Sequence, residues 1–132
     1  MALILGTGID LCDIQRMSNA IEKNHFLERV FAPSEQERIR AASGPRRGEI
    51  AAGLFAAKEA VAKAIGTGFD GFGPADIEIL PDALGRPVCA LHHKAGTIAA
   101  GSRVHVSITH EAGMAAAMAV LESVTPDPDS GR

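Results

Sequence analysis

The sequence has no excess of basic charge: 13 lysines and arginines stand against 16 aspartates and glutamates, a formal charge of −3. Nucleic acid is therefore a poor default partner, because backbone binding needs clustered cations. Attraction for an acidic partner has to come from a local patch. Cysteine is scarce as well. Cys12 and Cys89 are too few and too far apart for a disulfide framework or a zinc knuckle, and read as reduced thiols of a cytoplasmic protein. The chain opens without a basic segment and its first apolar run stops at Asp10, so neither a signal peptide nor a membrane span is expected. Repeats are absent. The proline-rich, polar stretch 125–132 (TPDPDSGR) reads as a loose tail after a single domain over residues 1–124. What the chain does have is apolar residues, 46% of its 132, enough for the core of one domain.

That apolar content is patterned. Ala2 to Ile9 is an apolar run containing Gly6 and Gly8, which suits a buried strand that bends at its glycines or is closely approached there, and Asp10 ends the run. Asp13 is placed to cap a helix beginning near Ile14, with Met17, Ala20 and Ile21 at helical spacing. Phe26, Val30 and Phe31 predict a second short helix. Ser34-Glu35-Gln36-Glu37 after Pro33 reads as a capping box for a helix from about Glu35 to Ala42, broken by Gly44 and Pro45. The clearest helix is predicted from Glu49 to Ile65, closed by Gly66. A glycine-rich loop, 66–73, leads to strands at Ile77 to Leu80 and Pro87 to Leu91, joined by a turn at Asp82 to Gly85. A short helix near Lys94 to Ala100 and an alternating strand from Val104 to Thr109, ending at His110, follow. Met114 to Glu122 is rich in alanine, which favours helix, but the short Glu111-Ala112-Gly113 turn favours a returning strand, and strand is the reading adopted. Strands and helices mixed without a βαβ rhythm predict an α+β fold.

Several residues are candidates for chemistry. Gly6-Thr7-Gly8 lacks the third glycine of a dinucleotide fingerprint, since position 11 is Leu11, and is read as structural. Between Ile50 and Ile65 only Lys58, Glu59 and Lys63 are charged, so most of that helix must be buried. Glu59 and Lys63 share a face. The residues alone leave two readings open: an exposed ion pair worth roughly a few tenths of a kcal/mol, or a metal ligand beside a phosphate contact. Asp10 is by default a turn or cap residue. Together with Glu59 it would place two carboxylates on separate elements, which suits Mg²⁺, an ion that takes one or two protein carboxylates plus waters and substrate phosphates. His110 reads by default as a surface histidine, and Arg46 and Arg47 as solvated.

Taken in order, four segments resemble the holo-acyl-carrier-protein synthases, the short-chain 4′-phosphopantetheinyl transferases. They are Gly8-Ile9-Asp10 with Arg16, Phe55-Ala56-Ala57-Lys58-Glu59-Ala60 with Lys63, Gly85-Arg86-Pro87, and Val106-Ser107-Ile108-Thr109-His110. The resemblance runs from about Ile4 to Glu122. It implies a small mixed or antiparallel sheet packed on a long helix, in a homotrimer with active sites at the subunit interfaces. It also implies transfer of the phosphopantetheine arm of coenzyme A to a serine of an apo acyl carrier protein, with adenosine 3′,5′-bisphosphate leaving. Carried onto this chain, Asp10 and Glu59 would bind Mg²⁺. Glu59, directly or through a water on the metal, would be the general base, and Lys63 would stabilise the leaving phosphate. The resemblance further implies that His110 contacts the phosphate region and that Gly85, Arg86 and Pro87 form a turn near the nucleotide. Arg46 or Arg47 would meet the 3′-phosphate.

The carrier's acidic helix would meet Arg16, Lys23, His25 and Arg29, with Met17, Ile21 and Phe26 as apolar anchors; core packing is the competing reading for Met17 and Ile21. Two departures stand out. Leu54 occupies a position where the family usually has arginine, so a charge is missing or another arginine supplies it. Glu22 and Glu28 dilute the basic face, which leaves a fatty-acid, polyketide or peptide carrier open. A catalytically impaired coenzyme A-binding trimer and a Mg²⁺-dependent pyrophosphohydrolase are the alternatives. Asp10, Glu59 and Lys63 favour the transferase, because nothing structural requires that trio.

Overall fold

The computed structural model describes residues 2–124, and the predicted tail at 125–132 lies outside the described residues. Strand β1 (Leu3–Asp13) is followed by helices α1 (Ile14–Ala20), α2 (Asn24–Val30), α3 (Pro33–Ala41) and the long α4 (Pro45–Ile65). A single 3₁₀ turn (Pro74–Asp76) leads into the hairpin of β2 (Ile77–Pro81) and β3 (Pro87–Leu91). Helix α5 (His93–Ile98) and a second hairpin, β4 (Ser102–Glu111) with β5 (Met114–Ser123), complete the fold. There are two antiparallel sheets, one in the order β1-β5-β4 and one of β2-β3, so the α+β expectation holds with two sheets where one was expected.

Helix α4 is buried around almost its whole circumference, between the three-stranded sheet on one side and α1, α3 and β2 on the others. Its alanines and glycines follow from how near the sheet lies. A Cβ on Gly8 would sit 1.8 Å from the Ala60 carbonyl oxygen, and one on Gly6 2.0 Å from that of Ala64. The glycines of β1 therefore admit a helix backbone, and the register irregularity between Ile4 and Gly6 bends the strand as well. Ala115, Ala117 and Ala119 of β5 are buried, facing the helix, for the same reason. Small side chains are what this interface accommodates, so the alanine-rich segment is a strand despite its propensity. The two-residue turn at Ala112 and Gly113, both at positive φ, returns it against β4.

Three boundaries differ from the sequence expectation. Strand β1 does not stop at Asp10 but stays paired with β5 to Asp13, which then caps α1 by accepting the Arg16 N–H at 2.9 Å. Helix α4 starts at Pro45, one turn earlier than predicted, because a proline at the first helical position sacrifices no intrahelical hydrogen bond. The capping box is also displaced: α3 begins at Pro33, and Glu35 closes on the Ala32 N–H at 2.8 Å, while the Ser34 hydroxyl donates to Glu78. Gly66 ends α4 in the left-handed region at φ 95°, as predicted.

The outer face of the three-stranded sheet is left uncovered by this chain. Leu5, Ile9, Leu11 and Met118 project from it, Ile9 at 71% and Leu11 at 64% exposure. Among the described residues no helix is long and apolar enough to cross a membrane.

Candidate active site

Three predicted residues meet where β1 crosses α4. Between residues 51 and 64 of α4 only Phe55, Glu59 and Lys63 escape full burial, and their spacing of four makes them one open stripe. The Lys63 ammonium donates to Asp10 Oδ1 at 3.1 Å and to the Ile9 carbonyl at 2.9 Å. Lys63 thus reaches across to the strand. Burial pushes the Glu59 carboxyl above its ordinary pKa, the charge of Asp10 pushes it further, and Lys63 opposes both. Two carboxylates that repel each other at a solvent-facing crossing are a set that a cation would relieve. Their oxygens are the hard donors Mg²⁺ takes. Among the described residues no cluster of three or more His, Cys, Asp or Glu could hold a metal ion. Asp10 and Glu59 would therefore act as a pair, leaving the other positions to water and phosphate oxygens.

A second group gathers toward the other end of α4. A cavity of about 200 Å³ has Arg38, Arg46, Leu54, Gly85, Pro87 and His110 in its wall. Glu49 sits between two of its nitrogen-bearing side chains, 3.2 Å from Arg46 and 3.7 Å from the His110 ring. Arg38 reaches this cavity from α3 with no ion-pair or hydrogen-bond partner among the described residues. Of the two neighbouring arginines only Arg46 lines it. Arg47 donates to the Ala42 carbonyl at 2.8 and 3.1 Å and to the Arg40 carbonyl at 3.1 Å, closing the end of α3. Arg86 lies on the far side of the hairpin, paired with Asp82 at 2.9 Å, and lines a larger groove of about 730 Å³ between β3 and β4. Gly85, at φ 84°, makes the turn that places Pro87 in the cavity wall.

A sequence profile of the 4′-phosphopantetheinyl transferase superfamily matches residues 6–119. This chain belongs to that superfamily. The holo-[acyl-carrier-protein] synthase of Magnetococcus marinus is 42% identical to it, over 91% of this chain and 94% of the relative. That of Clostridium acetobutylicum is 44% identical, over 91% and 98% respectively. Among solved structures, the holo-(acyl-carrier-protein) synthase of Bacillus anthracis in complex with CoA (3′,5′-ADP) superposes with a TM-score of 0.79 at 36% identity, covering 91% of this chain and 97% of that one. The Helicobacter pylori synthase in complex with coenzyme A gives 0.76 at 30% identity, covering 87% and 98%.

In this phosphopantetheinyl transferase the residues expected to meet the carrier are only partly together. Arg16, Met17 and Phe26 share an apolar pocket of about 300 Å³ with Phe55, one helical turn from Glu59. Lys23, His25 and Arg29 are exposed along α2. Ile21 belongs to the core, and Met17 is 5% exposed, so Phe26 is the most open of the three predicted anchors. Cys12 lines the same pocket. Burial, with Asp10 and Asp13 adding to it, pushes its thiol up to about 11, and burial carries Cys89 up to about 12, so both stay protonated thiols near neutral pH.

Spacing along the transferase sequence gave no hint of Arg38, of Glu49 or of the partner of Lys58. Lys58 is wholly buried and paired with Glu35, which lies 23 positions away. The available signal was its place on a helix face that had to be buried, where a lysine needs an acceptor.

Proposed function

We propose that this enzyme moves the 4′-phosphopantetheine arm of coenzyme A onto a serine of an apo acyl carrier protein and releases adenosine 3′,5′-bisphosphate. The observation that carries this reading is the carboxylate pair Asp10 and Glu59, held against Lys63 on the one open stripe of α4. Asp10 and Glu59 would hold Mg²⁺, which supplies neutralisation of the charge on the transferring phosphoryl group. Glu59 accepts the serine proton. The serine oxygen bonds to the β-phosphorus, the bridging P–O bond breaks, and the Lys63 ammonium meets the charge left on the departing phosphate. Arg46, His110 and Arg38 bind the 3′-phosphate through charge-assisted hydrogen bonds. Arg38 thereby supplies, from α3, a charge that Leu54 does not.

The same geometry favours a shared site. Glu49 and Glu59 are separated by about 15 Å along α4, so the phosphate cavity and the carboxylate pair lie well apart on the helix. In the shared-site arrangement the coenzyme would take its 3′-phosphate contacts from one subunit and its metal carboxylates from the next. The uncovered apolar face around Ile9 and Met118 supports assembly, and by the family resemblance we take that assembly to be a homotrimer. The transferase unit is taken as residues 1–124, in a cytoplasmic setting suited to free thiols, with the carrier of fatty-acid synthesis as the first substrate to try.

Asp10→Ala and Glu59→Ala test the reading. Each variant is expected to sediment like the parent and to lose at least about 100-fold in transfer to an apo carrier. A variant that assembles and turns over near the parent rate overturns the assignment of these carboxylates.

A further inference from the structure

Lys58 and Glu35 are the two fully buried charged residues among those described, both at 0% exposure. The Lys58 ammonium has three N–H bonds and three acceptors: Glu35 Oε1, the Pro74 carbonyl at 3.0 Å and the Ile77 carbonyl. Glu35 Oε1 also accepts the Ala32 N–H, and Oε2 accepts the Ile79 N–H, both at 2.8 Å. No buried side-chain polar atom among the described residues is left without a partner. Burial pushes the lysine's pKa down, and the glutamate opposes that shift.

Such a pair is a poor source of stability, because desolvating two charges cancels most of their attraction, and apolar replacements are often as stable. Its geometry offers another role. The pair joins α4, the first turn of α3, the 3₁₀ turn and β2. Three of the four elements around the 200 Å³ cavity (α3, α4 and the β2–β3 hairpin) therefore meet at one knot. Arg38 lies one turn beyond Glu35 on α3. Ile79, whose N–H Glu35 holds, is itself in the cavity wall, and the same hairpin carries Gly85 and Pro87. Ser34 and His92 hold Glu78 of β2 as a second tie. The crossing of α4 with β1, by contrast, is fixed separately by the contacts of Gly6 and Gly8.

We propose that Lys58 and Glu35 are positioning residues for coenzyme binding: they set α3 and the β2–β3 hairpin against α4 and so hold the phosphate-binding cavity in shape. Neither touches a reacting atom. This rests on reading the cavity as the coenzyme's phosphate site.

The test uses the full chain with Glu35→Gln/Lys58→Met, which leaves no unpaired charge in the core. Melting, calorimetric titration with coenzyme A, and transfer kinetics against each substrate are measured. The double variant is expected to melt close to the parent yet bind coenzyme A at least about tenfold more weakly, with KM for the carrier and kcat within about threefold. Unchanged coenzyme affinity in the folded variant overturns the proposal. So does a joint rise of both KM values with a falling kcat, which would mean general loosening. Glu35→Asp keeps the charge but shortens the reach. If the double variant fails to fold, this substitution must show the same selective loss, and parent-like affinity in it is equally fatal. A parent chain that binds coenzyme A but transfers nothing would instead overturn the proposed reaction and leave the positioning role standing.

Discussion

Replacing Gly8 with alanine should disturb the catalytic trio without altering any of its members. The new Cβ would lie 1.8 Å from the Ala60 carbonyl oxygen and 2.7 Å from its carbon. Both neighbours are backbone, so nothing can swing aside as a side-chain tip would. A carbon–oxygen contact needs roughly 3.3 Å, so β1 and α4 must part by about 1.5 Å. Asp10 sits two residues along on the same face, and its 3.1 Å bond to Lys63 spans this crossing. Core overpacking of this kind costs about 1–3 kcal/mol, on the order of 5–10 °C in Tm for a domain of this size. Misplacing reacting groups by about 1 Å costs roughly 100-fold in rate. The expected result for Gly8→Ala is therefore a lowered melting temperature together with a kcat down by about two orders of magnitude. Conversion of apo to holo carrier at saturating coenzyme A, followed by mass, reads the rate, and circular dichroism reads the melt. Gly73→Ala is the control, since a Cβ there meets nothing within 4 Å, and it should behave like the parent. A Gly8→Ala enzyme with parental Tm and rate would refute the close approach and the catalytic geometry built on it.

Other consequences are as direct. Arg46→Ala should raise KM for coenzyme A at unchanged Tm. Arg47→Ala should leave that KM alone and destabilise the fold by about 1 kcal/mol, through the lost hydrogen bonds to the end of α3. Kinetics and melting of the pair separate the roles, and exchanged phenotypes would contradict them. Hydrogen bonds from Ser34 and then His92 hold the Glu78 carboxyl below its ordinary value, with burial opposing. A depressed carboxyl contributes stability above its unfolded pKa, near 4.5, and that contribution is lost as pH falls through the lower folded value. Glu78→Gln should thus lower the urea midpoint at pH 7 and approach the parent as the pH falls below the unfolded value; parallel curves would exclude this linkage. Ile9→Asp places a charge on the uncovered sheet face and should yield a folded, dissociated protein with little transfer, read by sedimentation velocity. An intact assembly would move the interface elsewhere.

Much of the fold was legible because its punctuation is local. Asp13, Gly66, the Asp82–Gly85 turn and Ala112-Gly113 each stop or reverse the chain by their own conformational preferences, so elements came out in order and type. The end of β1 was not legible, because a polar residue such as Asp10 looks like a terminus until β5 is known to pair beyond it. The candidate site was legible as residue types but not as partners. Spacing suggests Glu59 with Lys63, whereas Lys63 finds Asp10, 53 positions away. The choice between Arg46 and Arg47 depends on carbonyls left over at the end of α3, and Lys58 on an acceptor in α3, and both come only with tertiary packing. Arg38 was hidden for the same reason: α3 carries it to a cavity whose other walls lie on α4, the hairpin and β4.

The most direct test of the central claim is the intact mass of an apo acyl carrier protein after incubation with this chain, coenzyme A and Mg²⁺. A gain of one phosphopantetheine arm, abolished by chelating the metal and absent with Glu59→Ala, is the predicted result. No gain on fatty-acid, polyketide or peptide carriers, while the folded protein binds coenzyme A or hydrolyses it without any carrier, would contradict the transferase reading.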